Sequence, residues 1–282
     1  MQIANPIYDT VFKYLMEDTP SAILLLSTII DEPITSLECL PQENTLQITQ
    51  RSLTVYRLDF CAKIKTETGY KQVLIEIQKA KLPSDIMRFR RYLGEQYSKK
   101  SNVYTECKNN KTETTALPII SIYFLGYQLE QIKTPVVKVK RHYYDVTNNQ
   151  QLDVKETFIE SLTHDSYVIQ ISQLRQQHQS EIEQLLAIFD QHQHLPSDEH
   201  ILNVDESSYP PKYRPLIRRL QRAIVEPEIR RTMDTEDDIL ADLQNMEKQI
   251  DQKNKALNEA HAEIAEKNRL IDQLQKQLSH SK

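Results

Sequence analysis

Tyr56-Arg57-Leu58-Asp59-Phe60 and Val73-Leu74-Ile75-Glu76-Ile77-Gln78 flank the turn residues Thr66-Glu67-Thr68-Gly69. Residues 52–66 are rich in β-branched and aromatic side chains, and residues 70–78 form a second apolar run, so the spacing predicts a β-hairpin. Side chains alternate across a strand, which sets Glu76 and Gln78 on one face. A turn centred between Glu67 and Thr68 sets Asp59 opposite Glu76. A carboxylate inside so apolar a run costs several kcal/mol to bury unless something compensates it, and two facing carboxylates also repel. A divalent cation resolves both problems, and hard carboxylate oxygens suit Mg²⁺ or Mn²⁺. Such an ion activates water and neutralises charge on a phosphate under attack. The plainer alternative is a half-exposed hairpin face with solvated carboxylates.

Outward from the hairpin, Lys79 and Lys81 follow at once, and residues 83–85 open a helix expected to run to about Lys100. Arg88 and Tyr92 are four apart and share a helical face, with Arg91 beside them. Residues 79–100 hold 7 basic and 2 acidic side chains, as do residues 212–231. Either stretch could be a solvated helix face. Beside an acidic pair, however, Lys79, Lys81, Arg88, Arg91 and Tyr92 suit a phosphodiester backbone, positioning DNA without reading its sequence.

Two helices open the chain. Asn5-Pro6 reads as an N-cap with proline in the first turn, followed by Ile7, Val11 and Leu15 at helical spacing. Thr19-Pro20 repeats the signal before the apolar residues 22–30, and Asp31-Glu32-Pro33 ends that helix. Residues 108–115 are polar and repetitive, expected as an exposed loop. Residues 118–127, 136–140 and 166–171 read as strands, and the glutamine-rich residues 173–193 as a peripheral helix. From Ile239 the pattern turns to heptads. Leu243, Ile250, Leu257, Ile264, Ile271 and Leu278 form one seam, and Ile239, Met246, Lys253, Ala260, Lys267 and Leu274 the other. A coiled coil, most simply a parallel homodimer, is expected, with a heteromer or a lone packed helix as alternatives.

The ordered set Tyr8-Asp9-Thr10-Val11-Phe12-Lys13, Leu58-Asp59-Phe60, Ile75-Glu76-Ile77-Gln78 and residues 87–97 resembles the PD-(D/E)xK nuclease family transposases, the recombination-promoting nuclease group. Residues 117–126 and 158–165 look like that group too, so the resemblance covers roughly residues 5–193. It implies an α/β, restriction-endonuclease-like PD-(D/E)xK core, divalent-metal-dependent DNA cleavage, and a link to recombination, transposition or mobile elements. Asp59 and Glu76 match the metal-binding acids, and Asp9 matches the acidic position of the family's first helix. Gln78 falls where the wider superfamily has lysine, and it carries no charge. Lys63 shares the Asp59 face but lies about 13 Å along the strand. Lys13, one turn after Asp9, is better placed to supply the cation if that helix packs beside the hairpin. The ordinary alternative for Asp9 and Lys13 is a surface i,i+4 ion pair. A non-catalytic DNA-binding or assembly protein on the same fold, recruiting partners through its coiled coil, is the second functional reading.

Composition agrees with a globular body plus a segment that buries little: 39% hydrophobic and 27% charged over 282 residues. From Asp234 onward there are 11 acidic and 7 basic residues, so most of the net charge of −5 lies there. Only 3 Gly argue against phosphate-binding glycine loops, and 3 widely spaced Cys against a disulfide framework or structural zinc. No run approaches the roughly 18 apolar residues of a membrane span. Residues 1–8 have no basic region followed by an apolar core, so a cytoplasmic protein without membrane association is expected. The expected organisation is a nuclease-like domain over residues 1–200, a basic helical connector over 201–235, and a C-terminal helical coiled-coil tail over 236–282. His178, His192 and His194 have ligand-like spacing in a polar setting, and His164-Asp165 suits a structural hydrogen bond better than catalysis.

Overall fold

A computed structural model describes residues 1–40, 60–81, 85–108, 111–174 and 180–280. In chain order the elements are β1 (Gln2–Ala4), α1 (Asp9–Met16), α2 (Thr19–Ile30), β2 (Ile34–Cys39), β3 (Phe60–Thr66), β4 (Gly69–Gln78), α3 (Asp85–Ser98), β5 (Val103–Lys108) and β6 (Lys111–Ala116). There follow β7 (Ile119–Leu125), β8 (Val136–Val139), β9 (Tyr143–Asp145), β10 (Gln150–Leu152), α4 (Thr157–Leu162), β11 (His164–Gln170) and α5 (Glu181–Leu186). Then come β12 (His194–Leu195), β13 (Asp198–Asn203), α6 (Arg214–Ala223) and α7 (Pro227–His280).

The protein is mixed α/β around a six-stranded sheet of order β2-β3-β4-β7-β11-β8. The β3–β4 hairpin turns at Glu67-Thr68, with Thr66 paired to Gly69 and Phe60 to Ile75, the register expected from the sequence. Gly69 takes φ 124°, a conformation that glycine alone adopts readily. β4 then runs parallel to β7, and β7 to β11.

Alternation sorts the sheet into two buried faces. Phe60, Ala62, Ile64, Val73, Ile75, Ile122 and Phe124 join one large core with α1, α2 and α6. Cys61, Leu74 and Ile119 face the other way, onto Phe89 and Leu93 of α3. The buried amide of Gln72 ties that helix down by donating to Gln96 Oε1 at 2.8 Å. Glu76 and Gln78 have the parity of Leu74, so they lie on the α3 face.

Several expectations need correction. Asn5 caps no helix: α1 starts at Asp9, and residues 2–4 instead pair with β13, Gln2 opposite Asn203. The Asn5 amide donates to Gln191 Oε1 and the Glu199 carbonyl, because a partner strand nearly 200 residues away claims the chain's start. Residues 108–115 contribute to the β5–β6 hairpin rather than a loop, although residues 109–110 lie outside the described residues. Among the described residues of 173–193, which leave out 175–179, the expected long peripheral helix is not seen: Glu181–Leu186 is α-helical, and Leu185, Leu186, Ala187, Ile188 and Phe189 are core. Their apolar run outweighs the surrounding glutamines. β2, which forms one edge of the main sheet, was not expected at all.

The chain divides into two units, Met1–Met233 and Asp234–Lys282. Of residues 201–235, read as a connector, those through Met233 fall in the first: Leu216, Ile217, Leu220, Ile229 and Met233 are core. The second unit is helical through His280. No helix among the described residues is long and apolar enough to cross a membrane.

Candidate functional site

Glu76 is 4% exposed, in the second half of β4. Its register partner on β7 is Tyr123. Tyr123 and Tyr92 both pack against the small core under α3. Burial pushes both phenols well above their ordinary range, and the Glu76 charge pushes the same way. Tyr92, expected at a phosphate, is thus half-buried beside a carboxylate.

Gln78 is buried, and its Oε1 accepts from the Tyr127 hydroxyl at 3.0 Å. The Gly126 N–H bonds the Gln78 carbonyl at 2.8 Å. A Cβ on Gly126 would stand 2.5 Å from the Lys79 carbonyl oxygen, so only glycine lets the ends of β4 and β7 approach this closely. Lys79 then turns to the opposite side, its Nζ 3.4 Å from the centroid of the Tyr8 ring. Tyr8 is buried and immediately precedes Asp9, so the end of β4 meets the start of α1. Asp9 and Lys13 form the i,i+4 ion pair at 2.6 Å, with side chains 19% and 29% exposed, respectively. Lys79, Asp9 and Lys13 therefore converge around Tyr8, while Glu76, Gln78 and Tyr92 gather on the α3 side.

Other expected residues do not join them. Lys81 pairs with Glu130 at 3.1 Å and Arg91 reaches Glu95 at 3.7 Å, both on the exposed surface. Arg88 lies within α3, but its side chain is outside the described set, and Asp59 lies wholly outside the described residues. In the second basic stretch several cations are already paired, at the surface in three cases: Lys212 binds Glu181, Arg218 binds Glu206, Arg230 binds Asp198, and Arg219 donates to the Tyr14 carbonyl. Of the histidines singled out, His178 lies outside the described residues and the others make local bonds. His192 Nδ1 bonds buried Asp190 at 2.7 Å, His194 Nδ1 bonds the Gln191 carbonyl, and His164 Nδ1 meets the Tyr97 hydroxyl. Asp165 pairs with Arg141 at 3.0 Å.

The structure adds a feature the sequence reading missed. Lys63 and Lys65 approach the Tyr70 ring at 5.0 and 5.5 Å, and Tyr104 of the β5–β6 hairpin lies 6.1 Å from it, centroid to centroid. Lys63, Tyr70 and Tyr104 line a cavity of about 370 Å³ with Ser36, Glu38 and Thr105. By alternation this groove shares the sheet face of Glu76, about 20 Å along β4. The two lysines at alternate positions were the available signal; their aromatic partner across from residue 70 was not.

Among the described residues no three His, Cys, Asp or Glu side chains gather as a metal-ion cluster. Fit to a hard cation rests on the donor chemistry of buried Glu76, with Gln78 two residues on. Comparison with protein-family models, with curated proteins and with solved structures finds no match to this chain.

Proposed function

We propose that the protein is a divalent-metal-dependent DNA endonuclease on a restriction-endonuclease-like PD-(D/E)xK core, acting in recombination, transposition or a related mobile-element process. The observation that carries this reading is Glu76, a carboxylate with 4% exposure on a sheet face, in a hairpin described as far as the pair Phe60–Ile75. Asp59, the other acid of the reading, lies outside the described residues.

Asp59 and Glu76 would hold Mg²⁺ or Mn²⁺, which supplies an activated water and charge neutralisation at the phosphate. Gln78 orients the end of β4 through Tyr127. Gln78 brings no positive charge, and Lys13 and Lys79 lie beside Tyr8-Asp9 on the other side of the sheet from Glu76. Tyr92 of α3 lies close enough to Glu76 to feel its charge. Substrate DNA is held by its phosphates, at Lys81, Arg88 and Arg91 near the site and at Lys63 and Lys65 farther along the sheet. The alternative, a non-catalytic DNA-binding or assembly protein, draws on one observation: the neutral Gln78 amide, its oxygen already bonded by Tyr127.

Plasmid nicking with purified protein, with and without Mg²⁺ or Mn²⁺, decides between them. Metal-dependent cleavage by the wild type and its loss in Asp59→Ala and Glu76→Ala, both still folded by circular dichroism, is the expected result. Cleavage near the wild-type rate by either variant removes these acids from the chemistry. DNA binding without cleavage in any divalent metal selects the alternative.

A further inference from the structure

α7 is one uninterrupted helix, so its heptads keep a single register from Ile239 to Leu278. The seam is uncovered within the chain: Met246, Ile250, Leu257, Ile264, Ile271 and Leu274 are 44–56% exposed. Leu243, Ile250, Leu257, Ile264, Ile271 and Leu278 take heptad position a, three residues before the d positions Met246, Lys253, Ala260, Lys267 and Leu274. A parallel partner sets like positions against each other. Lys253 would then face Lys253 of the second copy, Ala260 would face Ala260, and Lys267 would face Lys267. Three consecutive d layers would hold two like-charge pairs and a thin gap. At the flank, Asp242 in position g would meet Glu247 of the second copy in position e, a further repulsion.

We infer that this tail pairs with a second copy of the chain in the antiparallel orientation, about a two-fold axis between Asn258 and Glu259. Position a then faces position d. Leu243 meets Leu274, Met246 meets Ile271, Leu257 meets Ala260, and Ile239 meets Leu278. Each lysine meets an isoleucine: Lys253 with Ile264, and Lys267 with Ile250. The lysine stems cover apolar surface while their ammonium groups reach solvent. Lys267 already leans this way, its Nζ 3.8 Å from Glu263 on the flank of the seam. Large faces small at the Ala260 layer, and no layer sets charge against like charge. Every layer from Ile239 to Leu278 finds a mate in the same sequence, which marks a second copy as the occupant. At 1.5 Å per residue the two Ile239 residues stand about 60 Å apart.

Single cysteines separate the orientations, because a disulfide needs Cα atoms within about 7 Å. In the full-length chain carrying Cys39→Ser, which removes an exposed native thiol, Leu243→Cys and Leu274→Cys are oxidised separately and after mixing. The parent without an added cysteine gives the background. The mixture is expected to form crosslinked dimer at least about tenfold faster than either variant alone. Replacing both lysines, Lys253→Leu and Lys267→Leu, removes the repulsion and should raise the crosslinking of Leu243→Cys with itself. Rapid self-crosslinking of each variant alone, without the lysine replacements, overturns the antiparallel assignment in favour of a parallel pair. A monomer, trimer or tetramer by light scattering at micromolar concentration overturns the self-paired dimer altogether.

Discussion

Glu32 shows how one side chain ties fold to pH. Burial alone would raise its pKa, but hydrogen bonds from Lys71, Thr68 and Thr66 outweigh that effect and hold it at about 2, against an ordinary 4.5. The folded value is depressed, so the contribution is complete above pH 4.5 and is lost as pH falls toward about 2. Glu32→Gln should cost about 1–2 kcal/mol at neutral pH, allowing for solvent screening of a partly exposed pair. Urea titrations of both proteins should converge on acidification; a gap that stays constant with pH would place the effect in packing. Gly126 is the other decisive single residue. An added Cβ meets the Lys79 carbonyl at 2.5 Å, so Gly126→Ala should lose about 1–3 kcal/mol by forcing the ends of β4 and β7 apart. Unchanged urea stability would mean the backbone there gives way without cost. Glu76 and Gln78 were legible at this scale because period-two alternation sets them on one face whatever surrounds them.

At the scale of elements, the β3–β4 hairpin was legible and the β5–β6 hairpin was not. The first has strong local signals, namely an apolar run, a Thr-Gly turn and clear alternation. The second is polar throughout residues 111–115, and no glycine or proline separates it in sequence from its pairing partner. That missed hairpin brings Tyr104 to Tyr70 and completes the groove lined by Lys63, with Lys65 near the Tyr70 ring. If the groove carries DNA, Lys63→Ala and Lys65→Ala should each lower the log–log salt slope of binding by about 0.9 for a duplex. Tyr70→Ala should weaken single-strand binding by about 1–3 kcal/mol if a base stacks there. Fluorescence anisotropy across a salt series reads both, and slopes identical to wild type would leave the groove out of the interface. Lys212, Arg218 and Arg230 are already paired with acids at the surface, so neutralising them should change DNA affinity less than neutralising Lys63 and Lys65, at a stability cost of at most about 1 kcal/mol per pair.

For the whole molecule, the division after Met233 separates a body with a shared core from a helix whose apolar seam has no cover of its own. Isolated helices gain little stability in water without packing. Melting followed at 222 nm should therefore show two transitions, one belonging to the tail and rising with protein concentration, the other belonging to the body and independent of it. A single concentration-independent transition would mean the tail is not held by self-association.

The sequence by itself determined the local and periodic features: the β3–β4 register, the buried parity of Glu76 and Gln78, the helix ending at Asp31, and the unbroken heptad tail. Each follows from residues near one another in the chain, where alternation, capping and turn chemistry act directly. Only the tertiary structure decided what depends on distant partners. Residues 2–4 became a strand because β13 offered them a free edge. Residues 201–233 joined the body because Leu216, Ile217 and Leu220 had an apolar surface to cover. Lys79 turned to Tyr8 because the tight approach at Gly126 delivers the end of β4 to the start of α1. These outcomes turn on which surfaces meet, and a local pattern holds no record of its partner.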